Sequence, residues 1–318
     1  AIDHFLAYYN DPIKNLPVYY DPAIDLDGAY KYSGNTQWAD VLYKKSHMKQ
    51  INASLSGGTS KTQYYFSYGF MGQDGLMTTY DDYYKRHNIS INVNSDVFDW
   101  LSVSAKSRYT YGFQDHPSQN STISRINWDM SPLIPIILPD GTWTGQGGFT
   151  NPFSEDRIGG HDHTTVNDLY MTGTMTIRPI KGMNINADYT FNPYSQNHEK
   201  YTRNYYETKA NGTSVLFPWT NPNAVLDDNN NNYYKAINIY GDYSKSFGKN
   251  NFKLLIGYNQ ETKTSKFFSA QRLQLINNDL PAINRATGVQ TVNGSETLWS
   301  VQGLFFRFNY DFAGKYLI

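Results

Sequence analysis

From Met48 onward the chain alternates apolar and polar residues with period two, and this pattern bounds what it can become. Successive side chains of a strand point to opposite faces, so such a run builds a sheet with one apolar and one polar face. Ile51, Ala53 and Leu55 stand against Asn52, Ser54 and Ser56. Tyr64, Phe66, Tyr68 and Phe70 follow, then Ile89, Ile91 and Val93. Leu101, Val103 and Ala105 oppose Ser102, Ser104, Lys106 and Arg108, and Tyr109 and Tyr111 continue the apolar phase. Leu169, Met171, Met175 and Ile177 form the next set, and Ile185, Ala187, Tyr189 and Phe191 the one after. Ile237 and Ile239, then Phe252, Leu254, Ile256 and Tyr258, then Leu304, Phe306, Phe308, Tyr310 and Phe312 bring the expected strands to nine.

A soluble sandwich also carries one apolar face per strand, so the connections must separate the two cases. Here they alternate between short and long. The short ones are 57–62, 95–99, 179–182, 247–250 and 313–315; the long ones are 73–82, 113–167, 192–233 and 263–297. Structureless loops above about 12–15 residues are uncommon in compact soluble domains. Short turns at one end and long loops at the other mark a membrane barrel whose ends face different compartments. The predicted fold class is therefore all-β, an antiparallel transmembrane β-barrel. Composition agrees: 28 Tyr, 17 Phe and 6 Trp coexist with a mean hydropathy of -0.61, which suits a greasy outside, a wet inside and polar loops. Trp100, Tyr109, Tyr111, Tyr258, Trp299, Tyr310 and Tyr316 are expected in interfacial girdles.

A net charge of -1 argues against a nucleic-acid partner, and zero cysteines exclude disulfides, thiolate metal sites and thiol nucleophiles. No run approaches the roughly 20 apolar residues of a membrane-spanning helix. Residues 1–47, punctuated by Pro12, Pro17 and Pro22, read as an extracellular loop leading into the partial barrel of residues 48–318, with a short helical turn around Trp38–Tyr43. Single-chain bacterial barrels use even strand numbers, so Tyr316-Leu317-Ile318 reads as a tenth strand cut short, and the chain is expected to be incomplete at both ends.

The run Asn35-Thr36-Gln37-Trp38-Ala39-Asp40-Val41, followed by His47 through Gly58, resembles the start of the barrel in SusC/RagA-type TonB-dependent transporters. Ser60 through Tyr65, Gly72 through Leu76, Tyr84 through Asn88 and Asn94 through Leu101 continue it in order, and Phe312 through Tyr316 resembles a later turn. The resemblance is dense over residues 35–108. It implies part of a 22-strand barrel, with neither the plug domain nor a TonB-box segment in this chain. It implies location in the bacterial outer membrane, contact with its lipid, energy from the TonB complex and a SusD-like lipoprotein partner. The substrate it implies is an oligosaccharide, or a peptide as in RagA-like members; a passive porin or adhesin is the rival.

The expected lumen-facing polar residues are Lys106, Arg108, Asn186, Asp188, Lys253, Arg307 and Asp311. They serve as a hydrated wall that also hydrogen-bonds a plug, or as direct solute contacts. The loop aromatics Trp128, Trp143, Tyr205, Tyr206 and Trp219 are candidate substrate-binding residues, since aromatic faces stack on sugar rings, though loop packing or contact with a lid would use them as well. His161-Asp162-His163 has zinc-like chemistry, but in a loop without a fixed third ligand no metal is expected. Asp227, Asn229 and Asn231 imitate the start of a calcium loop without its Gly and closing Glu, and read as an Asn-rich turn. Gly145-Gln146-Gly147-Gly148 lacks the strand–helix setting of a phosphate cradle. Neither Gly-x-Ser-x-Gly nor His-Glu-x-x-His occurs; His198-Glu199 is followed by Thr202. No catalytic residue and no cofactor are expected.

Overall fold

The computed structural model describes residues 2–15, 18–19, 31–32, 36–119, 132, 135–138, 140–145, 151–209 and 212–317. The chain opens with α1 (Ile2–Asn10), a minimal hairpin β1 (Val18–Tyr19) and β2 (Lys31–Tyr32), and α2 (Trp38–Leu42). α1 falls in a stretch expected to be loop; it ends where Asp11-Pro12 cannot continue it. α2 is the expected helical turn. It buries Trp38 and Leu42 and ties down the chain beyond β4, where Lys44 N–H donates to the Leu76 carbonyl (2.7 Å) and Thr78 N–H to that of Leu42 (2.8 Å).

The main body is one antiparallel sheet. Its strands are β3 (Met48–Gly58), β4 (Thr62–Asp74), β5 (Tyr83–Phe98), β6 (Leu101–Pro117), β7 (Gly160–Ile177) and β8 (Met183–Thr202), then, after the small hairpin β9 (Tyr206–Thr208) and β10 (Ser214–Leu216), β11 (Ala224–Phe247), β12 (Asn250–Leu273), β13 (Gln290–Phe312) and β14 (Tyr316–Leu317). Each pairs with the next in the sheet, from β3 at one edge to β14 at the other. Among the described residues no helix is long and apolar enough to cross a membrane.

Register converts nine separate alternations into one band. Phe66 opposes Ile91, Val93 opposes Ala105, Tyr109 opposes Leu169, and Met175 opposes Ala187. Tyr189 opposes Ile237, Ile239 opposes Tyr258, and Ile256 opposes Phe306. A slip of one residue anywhere would transfer a strand's whole apolar set to the other face. The band is bare of protein: Leu304 is 84 % and Phe306 80 % exposed. Neighbouring rings brace it, as where Phe252 meets Tyr310 with centroids 5.1 Å apart, a contact type worth about 0.5–1.5 kcal/mol beyond area burial. This is the wall of a transmembrane barrel. Trp299 is a correction to the expected girdle: it pairs with Lys263, on the polar side.

The strands run well past the band. β11 and β12 each have 24 residues, whereas about 9–11 cross the hydrocarbon. From Asn259 to Leu273, β12 continues for about 50 Å of strand path at ~3.3 Å per residue. The long connections expected at 73–82, 113–167, 192–233 and 263–297 therefore contract to 75–82, 118–159, 203–223 and 274–289. The supposed Asn-rich turn, residues 227–232, lies within β11, paired on both sides by β8 and β12. At the other end the turns stay tight. Gly248 takes φ +59° between β11 and β12, a left-handed conformation that costs a non-glycine residue about 1–2 kcal/mol.

The core of ordinary burial sits in the outer connections. Asn151 caps α3 (Pro152–Ile158) by accepting from Phe153 N–H (3.1 Å), and its amide donates to the Ile136 carbonyl (2.7 Å). Ser154, Glu155, Asp156 and Glu207 are all buried here. The Ser154 hydroxyl donates to Glu207 Oε1 (2.7 Å). Burial outweighs that bond and pushes the Glu207 carboxyl up to about 7.

Two outcomes follow from this architecture. Phe306→Arg, on the apolar band, is expected to cost about 2–4 kcal/mol in urea unfolding from a bilayer. Thr174→Arg, on the opposite face across from Asp188, should stay within about 0.5 kcal/mol of the parent. Glu207 has a folded pKa above its unfolded one, so its contribution is complete below about pH 4.5 and is lost as pH rises through about 7. The loss is on the order of 3 kcal/mol. Hydrogen exchange at the Thr208 and Gly145 amides, corrected for intrinsic rate, should accelerate from pH 5 to 8, and Glu207→Gln should flatten that dependence.

Candidate functional site

The face opposite the apolar band is mostly polar, because the same alternation that makes one face greasy leaves Ser, Thr, Asn and charged residues on the other; Leu255, Phe305 and Trp299 interrupt it on β12 and β13. Cross-strand hydrogen bonds knit it: Thr176 Oγ1 donates to Asn186 (2.8 Å), Thr172 and Thr190 share a hydroxyl bond (2.9 Å), and Asn192 donates to Asp168 (2.6 Å). Lys106, Arg108, Asn186, Asp188, Lys253, Arg307 and Asp311 all fall on this face by register. They do not form one cluster. Lys253, Arg307 and Asp311 lie near the short-turn end of β12 and β13, where Arg307 donates to Asn309 (2.9 Å) and Asp311 accepts from Asn251 (2.7 Å). Arg108 lies nearer the long-loop end, with its guanidinium carbon 5.7 Å from the Tyr170 ring centroid.

That contact leads to residues the sequence reading missed. Tyr170, Tyr194, Tyr234 and Tyr240 stand in the polar phase of their strands: Tyr170 opposes Arg108, Tyr194 opposes Asp168, Tyr234 opposes Asn192 and Tyr240 opposes Asn186. The Tyr234 hydroxyl donates to Glu261 (3.0 Å) and that of Tyr194 to Gln196 (3.2 Å). Reading tyrosine as apolar hid them. Their positions among Asn, Asp and Thr were the available signal. Flat rings interleaved with carboxylates and amides offer both a stacking surface and hydrogen-bond acceptors.

Towards the long loops this face holds a cleft of about 340 Å³, lined by Gln73, Asp82, Tyr84, Gln114, His116 and Asp156 among others. Burial raises the Asp82 carboxyl above its ordinary range. Further along, His198 bridges two carboxylates, with Nε2 2.9 Å from Asp162 and Nδ1 3.1 Å from Asp228.

His161 and His163 lie in β7, not in the loop expected from the sequence, and Asp115 of β6 pairs directly with His163. Their ligand atoms lie within 4.8 Å of one another. Tyr80 donates to Asp115 Oδ1 (2.8 Å) and also contacts His161 Nδ1. Burial pulls the His161 pKa down, with Asp115 opposing it.

The candidate loop aromatics separate by accessibility. Tyr206 is 61 % and Trp219 56 % exposed. Trp143 is half-buried, its carbonyl accepting from Thr208 N–H (2.9 Å). Tyr205 is 5 % exposed and stacks on Phe217 with centroids 4.8 Å apart, so it packs the loop and offers a solute no face. Trp128 lies outside the described residues.

No family model matches the chain. It is 23 % identical to TonB-dependent receptor P3 of Formosa agariphila over 89 % of its own length and 28 % of that protein's. It is 22 % identical to TonB-dependent receptor SusC of Bacteroides thetaiotaomicron over 71 % of its length and 24 % of that receptor's. It therefore spans about a quarter of the length of the curated relatives it matches. A structure of the RagAB peptide importer in the closed-closed state superposes on 97 % of the chain, and 34 % of its own, with a TM-score of 0.71 at 17 % identity. In sequence and in fold the chain is SusC/RagA-like, resembling a portion of the barrel of a TonB-dependent receptor.

Proposed function

We propose that this sheet is part of the wall of an outer-membrane importer, with the apolar band against lipid and the polar face lining the solute path. The observation that carries the reading is the single amphiphilic phase that the strand register carries across the sheet from β3 to β13, in a chain that resembles TonB-dependent receptors along most of its length. Energy comes from TonB through a plug, and a SusD-like lipoprotein covers the outer opening. The work is solute passage, for which no catalytic group is needed.

The substrate class proposed is an oligosaccharide. Tyr170 and Tyr234, set among Arg108, Asn192 and Glu261, combine ring faces with hydrogen-bonding groups at the spacing of neighbouring strands. Sugars need both, an apolar platform for C–H faces and acceptors for hydroxyls. Lys106, Asn186 and Asp188 continue the polar wall, with Lys253, Arg307 and Asp311 near its turn end; Tyr206, Trp219 and Trp143 are loop contacts. A peptide is the second reading, favoured by the likeness to a structure described as a peptide importer.

Calorimetry on the full-length protein in detergent, with defined oligosaccharides and defined peptides, tests the choice. Oligosaccharide binding should weaken by about 2- to 12-fold in Tyr170→Ala or Tyr234→Ala, the 0.5–1.5 kcal/mol of a lost ring contact. Binding of peptides alone would replace the sugar reading. Failure of a lipoprotein to co-purify with the protein from native membranes would count against the paired importer.

A further inference from the structure

We propose that Asp115, His161 and His163 form a binding site for a divalent transition-metal ion, zinc being the ion that fits best. The site follows from strand geometry. His161 and His163 are i and i+2 on β7 and so share a face, and Asp115 is the direct cross-strand partner of His163 on β6. Two ligands on tetrahedral zinc at ~2.1 Å stand about 3.4 Å apart. His163 Nε2 lies 3.1 Å and His161 Nδ1 3.8 Å from Asp115 Oδ1, which brackets that spacing. Two imidazoles and one carboxylate are a donor set suited to zinc, which would displace the Tyr80 hydroxyl that now rests on Asp115 Oδ1 and His161 Nδ1.

Two further observations point to a cation. His163 Nε2 is shielded from solvent yet makes no hydrogen bond, although it faces the carboxylate. A shielded ring nitrogen without a hydrogen bond carries a desolvation cost that a metal–nitrogen bond would remove. Among the described residues the ion-pair partners of half-buried Asp115 are these two histidines, which carry charge only when protonated. A divalent ion supplies the missing positive charge while leaving both rings neutral, the form in which they ligate. The rings are also held in place. His161 packs on Tyr201 with centroids 5.3 Å apart, and His163 on Phe113 at 5.8 Å. The bound ion would staple β6 to β7 beyond the apolar band and leave a coordination position open to a ligand from outside.

The test is zinc titration of the untagged full-length protein in detergent, read by equilibrium dialysis with elemental analysis and by the visible absorption of Co²⁺ at the same site. The expected result is one ion per protein. His161→Ala and His163→Ala should each weaken binding by more than the roughly 10- to 100-fold that loss of an outer-shell partner costs. Asp115→Asn, which keeps the side-chain shape, should do the same and should abolish the tetrahedral Co²⁺ spectrum. His116→Ala, one residue away on the opposite face, should bind as the parent does. No bound ion at micromolar free zinc, or parental affinity in Asp115→Asn, would overturn the proposal.

Discussion

Everything in this molecule depends on where the backbone amides and carbonyls find their partners. In hydrocarbon there is no water to take them, and each one left open costs several kcal/mol. A sheet satisfies them between strands, which frees every side chain to serve the two surfaces. The consequence is a protein wall one strand thick. Its apolar residues touch one another only side by side across the strands, and what would be a core elsewhere is spread over one exposed face. Ordinary burial gathers mainly in the outer connections: around α2, around α3 and β9–β10, and where Leu275 and Ala286 meet Val225.

Such a wall has no interior, so its chemistry is on its faces, and the phase of the alternation decides what each residue can do. Tyrosine occurs in both phases. Tyr64, Tyr68, Tyr109 and Tyr258 stand on the greasy side, while Tyr170, Tyr194, Tyr234 and Tyr240 stand on the polar one. The same side chain can settle at the edge of lipid or line a wet passage, since it has a flat apolar body and a hydroxyl tip. On the polar side the hydroxyl finds a carboxylate or an amide, as Tyr234 does in Glu261.

The crossing parts of the strands were legible because lipid on one side and water on the other impose strict alternation. Ile51, Ala53 and Leu55, or Phe252, Leu254 and Ile256, could scarcely be read otherwise. The extensions were not legible for the converse reason. Above the band both faces are wet, so Asn229 to Asn232 and Thr262 to Ser265 carry no apolar period, yet the ladder of hydrogen bonds continues through them. That is why His161 and His163 read as loop, and why their third neighbour, Asp115, was invisible: it lies 46 residues earlier and meets them only through the pairing of β6 with β7. Burial of Tyr205 was hidden likewise, since it depends on Phe217 folding back over it. Side-chain phase within a strand can be read locally; partners across strands cannot.

The long extension of β11, β12 and β13 has a mechanical consequence. A fringe of independent loops could sway inward or outward with each thermal fluctuation, but a continuous ladder resists shear and bending together. The outer rim of such a wall is stiff, its outline fixed by its hydrogen bonds. Any change of shape there would have to bend the whole ladder at once, because the extension has no hinge to spare.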